Sequence, residues 1–512
     1  MRGLLLLTIF TPFIGAIVIY LSSIILHDDK KINIISTLFC ALTFIFSLSL
    51  YSPIVKGQLI ETSLNNSSPT LNILPYLFKF RADPLGVFMA ILASFLWLLT
   101  TIYSIEYLLH DKNKVRYQCF SLFSLFGMLG IVLSKNVLTL YIFFEILTIL
   151  SYLLVIHNES SSDLRAGIKY LFMGIVGGII LLFSIILTYK ATGSFDFVHG
   201  GLANLRNSPY FILIFWGYVI GFAVKAGVFP LHIWLPSAHP AAPSSASALL
   251  SGIIIKAGAF GLIKTIYSIF GRSQLNSWFT VKGLLVLSLI SILFGSGMAI
   301  VQKELKKMLA YSSISHIGYI ILGIALLSAN GLQGGIFHIL AHALSKGCLF
   351  LCAGILIHKL EIKKINEMKG LGLKMPVTML CFSLAGLSMI GFPGFAGFVS
   401  KWYLGLGALE SAGRGIISEG FGITIIAILM VSSLLTAAYY GPIIMDAWFG
   451  SQPHDPHDHD PLPEVAIEKC DPSWVMLLPI ILLTIGVIVF GIFGTYTLAI
   501  LGEKFPYLNS LV

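Results

Sequence analysis

The sequence predicts an all-α polytopic membrane protein of about 14 transmembrane helices. Three observations carry that prediction. The 512 residues are 57% hydrophobic and only 11% charged, whereas a soluble chain is about 25% charged; the mean hydropathy is +0.91. Apolar runs of roughly 20 residues, each enough to span a bilayer as a helix, recur along the chain. Two of those runs are cut by Pro and Gly, a pattern tolerated at membrane depth only inside protein or beside a watery cavity. Too few polar residues exist to cover soluble domains, so a cytosolic enzyme and a nucleic-acid binder are both excluded despite a formal charge of +9.

Taken in order, the first run, 4–26, follows Met-Arg-Gly. It is longer than a signal-peptide core of about 7–15 residues and no small-residue cleavage site follows, so a retained helix is expected. Runs at 32–53, 84–109, 115–133, 137–156 and 165–189 come next. The seventh, 208–235, is interrupted by Pro230 and Pro236. Those at 244–270, 282–301, 308–328 and 333–358 are continuous. The twelfth, 375–412, is cut by Gly391-Phe392-Pro393-Gly394. Runs at 421–445 and 473–501 complete the set. The two breaks fall in the last third of two successive five-helix blocks. An odd number of spans turns the second block over, so the spacing suggests two inverted five-helix repeats. The expected units are 1–110 (helices 1–3), 115–270 (repeat one), 282–447 (repeat two) and 448–512 (an acidic loop and helix 14).

Lys and Arg favour the cytoplasmic side. With both termini outside, the inside loops hold 15 of the 32 Lys/Arg, the outside segments 11, and the helices 6. Loops 110–116, 303–307 and 359–374 supply 11 of the 15. The inside loop also holds His454-Asp455-Pro456-His457-Asp458-His459-Asp460. It reads as a solvated acidic segment, a divalent-metal site being the alternative. The six cysteines form no C-x-x-C pair, so no metal centre is expected from them; they read as apolar filler.

The charges inside the spans are Lys169, Lys225, Lys256, Lys264, Lys346 and Lys401. A charged Lys at a helix centre costs about 2.5–3.5 kcal/mol on insertion scales, so six unpaired would approach ~15–20 kcal/mol. They must be paired, neutral or hydrated. Glu145 is the one clear mid-span acid, with Glu106 and Asp83 near helix ends. Lys169 and Lys264 can be read as snorkelling to an interface. Lys225, Lys256 and Lys401 are flanked by small and apolar residues and read as functional. A desolvated amine can take up and release a proton near neutrality, which Arg cannot.

Helix 11 carries His338, His342 and Lys346 four residues apart, hence on one face. That stripe reads as a proton relay, with structural hydrogen bonding as the plain alternative. Helix 10 adds Ser312, Ser315, His316 and Tyr319, a face that suits either water or helix packing. His232 and His239, in the Pro-rich turn after the seventh helix, are either proton carriers from the inside surface or loop-fixing hydrogen bonders.

The stretch Lys225-Ala-Gly-Val-Phe-Pro230-Leu-His232-Ile-Trp-Leu-Pro-Ser-Ala-His239-Pro-Ala-Ala-Pro243, then Ser-Gly-Ile-Ile-Ile-Lys256-Ala-Gly, closely resembles the signature of antiporter-like subunits of the respiratory complex I superfamily. Lys306-Lys307-Met-Leu-Ala-Tyr311-Ser-Ser-Ile-Ser-His316, the His338/His342/Lys346 stripe and Gly-Phe-Pro393-Gly continue the match from about 84 to 447. The resemblance implies fourteen helices, two inverted repeats and broken helices 7 and 12. It implies that Glu145 and Lys225 pair in one half-channel, that Lys256 connects to the His338/His342 helix, and that Lys401 ends the second half-channel. Lys at 401 and a C-terminus without the long lateral helix of the largest relatives look most like the D subunit of Mrp-type cation/proton antiporters. Similar subunits occur in energy-converting membrane hydrogenases and ferredoxin-linked complexes.

The expected activity is H+ translocation, with Na+ as a second candidate ion, in a prokaryotic plasma membrane. Expected partners are other integral subunits, including further antiporter-like ones, and a peripheral redox arm on one branch of the superfamily. No Gly-Lys dipeptide occurs, so a P-loop is excluded; no cofactor, metal, nucleic acid or catalytic centre of its own is expected. The alternatives are a free-standing solute transporter and an inert structural subunit.

Overall fold

A computed structural model describes residues 1–26, 29–63, 77–275, 278–450 and 469–504. The His/Asp stretch at 454–460 lies outside the described residues. Helices α1 (Arg2–Leu26) and α2 (Asp29–Ser49) lead to an antiparallel hairpin, β1 (Ile60–Ser63) with β2 (Lys79–Ala82), paired Ile60 to Ala82 and Ser63 to Lys79. Then come α3 (Pro84–Tyr107), α4 (Lys114–Val132), α5 (Val137–Val155) and α6 (Ser161–Thr192). The seventh run forms α7a (Phe211–Ala226) and α7b (Leu235–Ala241). Helix α8 covers Ser244–Phe270, followed by α9 (Gly283–Ile300), α10 (Leu305–Ala325) and α11 (Ala329–Leu360). The twelfth run forms α12a (Pro376–Ile390) and α12b (Ala396–Gly413); α13 (Glu419–Phe449), α14 (Trp474–Ile492) and α15 (Gly494–Lys504) follow.

Among the described residues, twelve helices are long and apolar enough to cross a membrane. The seventh and twelfth runs are the two that fall short, because each is split. Both splits begin with glycine in the left-handed region, Gly227 at φ 76° and Gly391 at φ 93°, where a Cβ would be strained. The residues 235–241, expected as a rigid loop, are helical instead. Pro236 occupies the first turn, where its missing N–H is no loss and its fixed φ suits a helix, so it starts the second half rather than cutting the first.

Helix starts follow from local chemistry. Asp83, Asn136, Ser160 and Ser328 each turn a side-chain oxygen onto a first-turn N–H, Asp83 on Gly86 at 2.8 Å and Asn136 on Thr139 at 2.8 Å. In lipid these donors have no water to fall back on.

Helices α8 and α11 are wholly buried along their most apolar stretch, whereas α2, α6 and α13 are mostly peripheral. Backbone-to-backbone approach brings the central helices together. A Cβ on Gly323 would lie 2.5 Å from the Gly331 carbonyl oxygen, one on Gly334 would lie 2.8 Å from the Leu404 nitrogen, and one on Gly407 2.4 Å from the Gly331 Cα. Small residues are how membrane helices reach such contact.

The loops expected to share a face do so. Arg116 pairs with Glu159, and His157 with Asp111 at 3.0 Å. Leu305 N–H donates to the Lys363 carbonyl and Ile365 N–H to that of Lys303. At the opposite face Arg81 N–H donates to the Leu133 carbonyl and Val198 N–H to that of Ser268.

The hairpin is tied to that second face by Glu61, which accepts from Arg81 Nε at 2.6 Å and from Lys135. Burial pushes this carboxyl up, but Lys135 and Arg81 together hold it below the ordinary Glu value. A depressed carboxyl stabilises the fold above its unfolded pKa of about 4.3 and loses that contribution as pH falls through the lower folded value. Proteolysis at the hairpin should therefore quicken below about pH 4. Glu61→Gln should quicken it at pH 7 and change little in acid; equal protection at pH 7 in both forms would refute the tie. Gly407→Val should lower the melting temperature of the detergent-solubilised protein, an overpacking cost of about 1–3 kcal/mol. An unchanged midpoint would mean that α11 and α12b are not in contact there.

Candidate functional site: a buried line of lysines and histidines

Lys225 lies in the last turn of α7a, where unpaired carbonyls favour a cation. It is 2% exposed. Its ammonium donates to Tyr170 Oη at 2.6 Å, Thr148 Oγ1 at 3.1 Å and Ser151 Oγ at 3.3 Å. Three donors thus meet three hydroxyls from α5 and α6. Glu145 comes from the same α5 but lies outside ion-pair range of Lys225 among the described residues, and its buried Oε1 has no hydrogen-bond partner. A Cβ at Gly178 would meet that oxygen at 2.2 Å, so the glycine makes room for it.

Lys256 sits just past an irregular turn of α8. The Leu250–Ile254 segment is π-helical, and Ile255 N–H donates to Leu250, five residues back. The Ser251 carbonyl accepts the Lys256 ammonium instead. Wide turns of this type concentrate at functional sites. The same ammonium meets His342 Nδ1 at 2.5 Å. The backbone beside Lys256 presses on α7a, since a Cβ at Gly258 would lie 2.4 Å from the Phe222 carbonyl oxygen.

The line continues through imidazoles. The His342 and His316 ring centres are 5.4 Å apart. His316 Nδ1 meets His338 Nε2 at 3.0 Å, and His338 Nδ1 meets Ser400 Oγ at 2.7 Å. All three rings are fully buried. Next to Ser400, Lys401 donates to the Met389 and Ile390 carbonyls at 3.1 and 2.8 Å and to Ser433 Oγ at 3.0 Å. Its ammonium also lies 5.1 Å from the centre of the Tyr319 ring. Lys401 is only partly buried, in a groove of about 560 Å³ between α12b and α13. His316 Nε2, His342 Nε2 and Tyr319 Oη have no protein partner. Buried polar atoms of this sort are the positions that ordered water takes.

The remaining predicted residues scatter. Lys346 shares the helix face but branches off, donating to the Leu309 carbonyl at 2.9 Å and Tyr440 Oη at 3.2 Å. Lys264 is buried and pairs with Asp83 at 2.5 Å, so it does not snorkel; it joins the α3 cap to α8. Lys169 is exposed and 3.4 Å from Ser237 Oγ. His232 is sandwiched by Phe229 and Phe294, and His239 stacks on Phe350 with both ring nitrogens unpartnered. The polar face of α10 divides: Ser315 reaches Ser296 on α9, Ser312 reaches Tyr439 on α13, and His316 faces α11.

Three features escape sequence reasoning. The hydroxyl box of Thr148, Ser151 and Tyr170 comes from other helices. The π-helical turn before Lys256 has no Pro or Gly run to mark it. Lys306, which by sequence falls in a basic loop, is in the first turn of α10 and buried, with its ammonium on the Ala242 carbonyl at 2.5 Å.

A bundle of twelve membrane-length helices among the described residues, with lysines and histidines buried at its core, is a polytopic membrane protein. Residues 134–430 match the family model described as NADH:quinone oxidoreductase/Mrp antiporter, TM, and residues 70–118 the one for complex I chain 5 N-terminus. The chain belongs to this NADH:quinone oxidoreductase/Mrp antiporter family. It is 34% identical to NADH-quinone oxidoreductase subunit N of Desulforudis audaxviator over 433 residues, 82% of this chain and 83% of that one. It is 32% identical to Na(+)/H(+) antiporter subunit A1 of Staphylococcus aureus over 92% of this chain and 60% of that one. Its fold superposes on a chain of the Mrp complex of Dietzia sp. DQ12-45-1b with TM-score 0.83, at 20% identity and full coverage of both.

The Lys264–Asp83 pair gives Lys264 a structural role. Asp83→Ala should cost about 3–5 kcal/mol, because it strands a buried charge, and it also removes the α3 cap. Adding Lys264→Met should restore most of that stability. If the double variant melts no higher than Asp83→Ala alone, the pair is not what holds α3 to α8.

Proposed function

We propose that this chain is a proton-translocating, antiporter-like subunit of a multisubunit complex in a prokaryotic plasma membrane. The observation that carries this reading is the buried run from Lys256 to His342 at 2.5 Å and from His316 through His338 to Ser400 at 3.0 and 2.7 Å. Those spacings are within reach for proton transfer. Every titratable group in the run is one that can lose its proton, and none is Arg.

In this reading Lys225 takes up a proton in the first half, with Glu145 modulating it from beyond ion-pair range. Lys256 connects the halves, the three imidazoles carry the charge on, and Lys401 ends the path. Three places lack a direct hydrogen bond among the described residues: between the Lys225 hydroxyl box and Lys256, between His342 and His316, and between Ser400 and Lys401. These are the points at which transfer is controlled. Units 115–270 and 282–447 are the two inverted repeats, each split pair counting as one crossing, with the termini on the hairpin side. Energy comes from partner subunits, either a redox arm or an Na+ gradient. Relatives on both branches, a quinone oxidoreductase and an Na+/H+ antiporter, support that partnership.

In the assembled complex, Lys225→Ala and Lys401→Ala should each cut pH-gradient-coupled transport at least tenfold while assembly stays normal. Lys225→Arg should be equally impaired, since Arg keeps its charge. Dye-reported proton uptake in vesicles is the measurement, and full transport in both Ala variants would end the proposal. Identification of the co-purifying subunits assigns the parent complex: iron–sulfur or nickel proteins mean a redox pump, small membrane subunits alone an ion-driven antiporter.

A further inference from the structure

By sequence Lys306 falls in the tight Lys-rich loop 303–307, where solvation is expected, but it lies in the first turn of α10. It is only 8% exposed. Its ammonium sits at the C-terminal end of α7b, donating to the Ala242 carbonyl at 2.5 Å and reaching the Pro240 carbonyl at 3.5 Å. Helix ends leave such carbonyls unpaired, and a cation there is favoured by the helix dipole. Pro243 ends α7b by holding Ala242 extended, and Lys306 caps the carbonyls left there.

The same ammonium-bearing residue lines a cavity of about 230 Å³. Asn158, Glu304, Lys363 and Ser244 also line it. Lys363 and Glu304 belong to the loops that join at the Lys-rich face through the Glu304–Lys364 bridge and the Leu305 to Lys363 bond. The cavity therefore lies at that face, and its wall is part polar and part apolar, with Pro240, Ala242 and Ile357 beside the charged groups.

Behind it, two residues back from Ala241 on α7b, lies His239. It is fully buried, and neither ring nitrogen has a protein partner. Its ring stacks at 4.7 Å on Phe350 of α11, the helix that carries His342 and Lys346. The charged groups acting on it are Lys306, Lys346 and Lys256. Lys306 lies at the cavity, Lys256 lies in the buried line, and Lys346 branches from the His342 face of α11. His239 thus occupies the space between the polar mouth and the line, with two free nitrogens in a place where an unsatisfied polar atom is costly.

We propose that the cavity walled by Asn158, Glu304, Lys306 and Lys363 is the mouth through which protons enter the buried line from the Lys-rich face, with His239 as the first acceptor. Lys306 is a positioning residue: it holds the end of α7b, and so His239, in place. The step is a bare proton transfer from water in the mouth to a ring nitrogen of His239, and from the other nitrogen onward to Lys256 or Lys346. This inference rests on the proton-path reading given above and adds its entrance.

The assembled complex, reconstituted into liposomes, tests it. His239→Leu and His239→Gln should each lower initial coupled transport at least fivefold with assembly intact. Lys306→Met should do the same, and Lys306→Arg, which can still donate to both carbonyls, should keep most of the rate. An Asn158→Cys variant should be blocked by a membrane-impermeant thiosulfonate added on the Lys-rich face and untouched from the other. Full transport in both His239 variants, or block only from the opposite face, overturns the entrance. If Lys225→Ala abolishes transport in those same preparations, the path itself survives that loss; if Lys225→Ala is also silent, path and entrance fall together.

Discussion

An ammonium removed from water must find other acceptors, and this chain offers its buried lysines almost no carboxylates. That constraint organises the core. A lone buried charge is untenable in hydrocarbon, yet a tight ion pair would fix the proton in place. The solution seen around Lys225, Lys256 and Lys401 is neutral oxygen: hydroxyls from Thr148, Ser151, Tyr170 and Ser433, and carbonyls from Ser251, Met389 and Ile390. Such partners solvate the protonated amine without holding it charged at all costs. Lys264 is the instructive contrast, because its carboxylate partner Asp83 makes it a strut.

Main-chain carbonyls are most available where a helix ends or is irregular, although Lys346 takes that of Leu309 from within α10. The α12a end supplies Lys401, the π-helical turn of α8 lies at Lys256, and the end of α7b supplies Lys306. Helix breaks and buried cations are therefore one feature seen twice. The glycines that let α11 pack against α10 and α12b serve the same end, since His338 reaches both His316 and Ser400 only across that close crossing.

Much of this was legible in the sequence. Hydropathy located the spans, because lipid demands about 20 apolar residues at each. Pro230 and Pro236 marked the first split, and Gly391-Phe392-Pro393-Gly394 the second. The i, i+4 spacing put His338 and His342 on one face. What could not be read was which helix faces which. Lys169 and Lys264 look alike along the chain, yet one is exposed and the other paired, because Asp83 is 181 positions distant. Lys306 looks like a loop cation because its burial depends on where α7b ends. The stretch 235–241 reads as a loop because Pro230, Pro236, Pro240 and Pro243 cluster around it, whereas Pro236 at a first turn promotes a helix.

The two splits are mechanically unlike. Lys225 rides on the half before its glycine and bonds only to other helices, so α7b can tilt about Gly227 without disturbing those bonds. Lys401 rides on the half after Gly391 and bonds back to the last two carbonyls of the half before it. It is a clasp across its own hinge. Any bend between α12a and α12b must stretch that clasp, and any change in the ammonium's hold on Met389 and Ile390 alters the stiffness of the joint. The second split thus couples the charge at one residue to the angle of a helix, and the first does not.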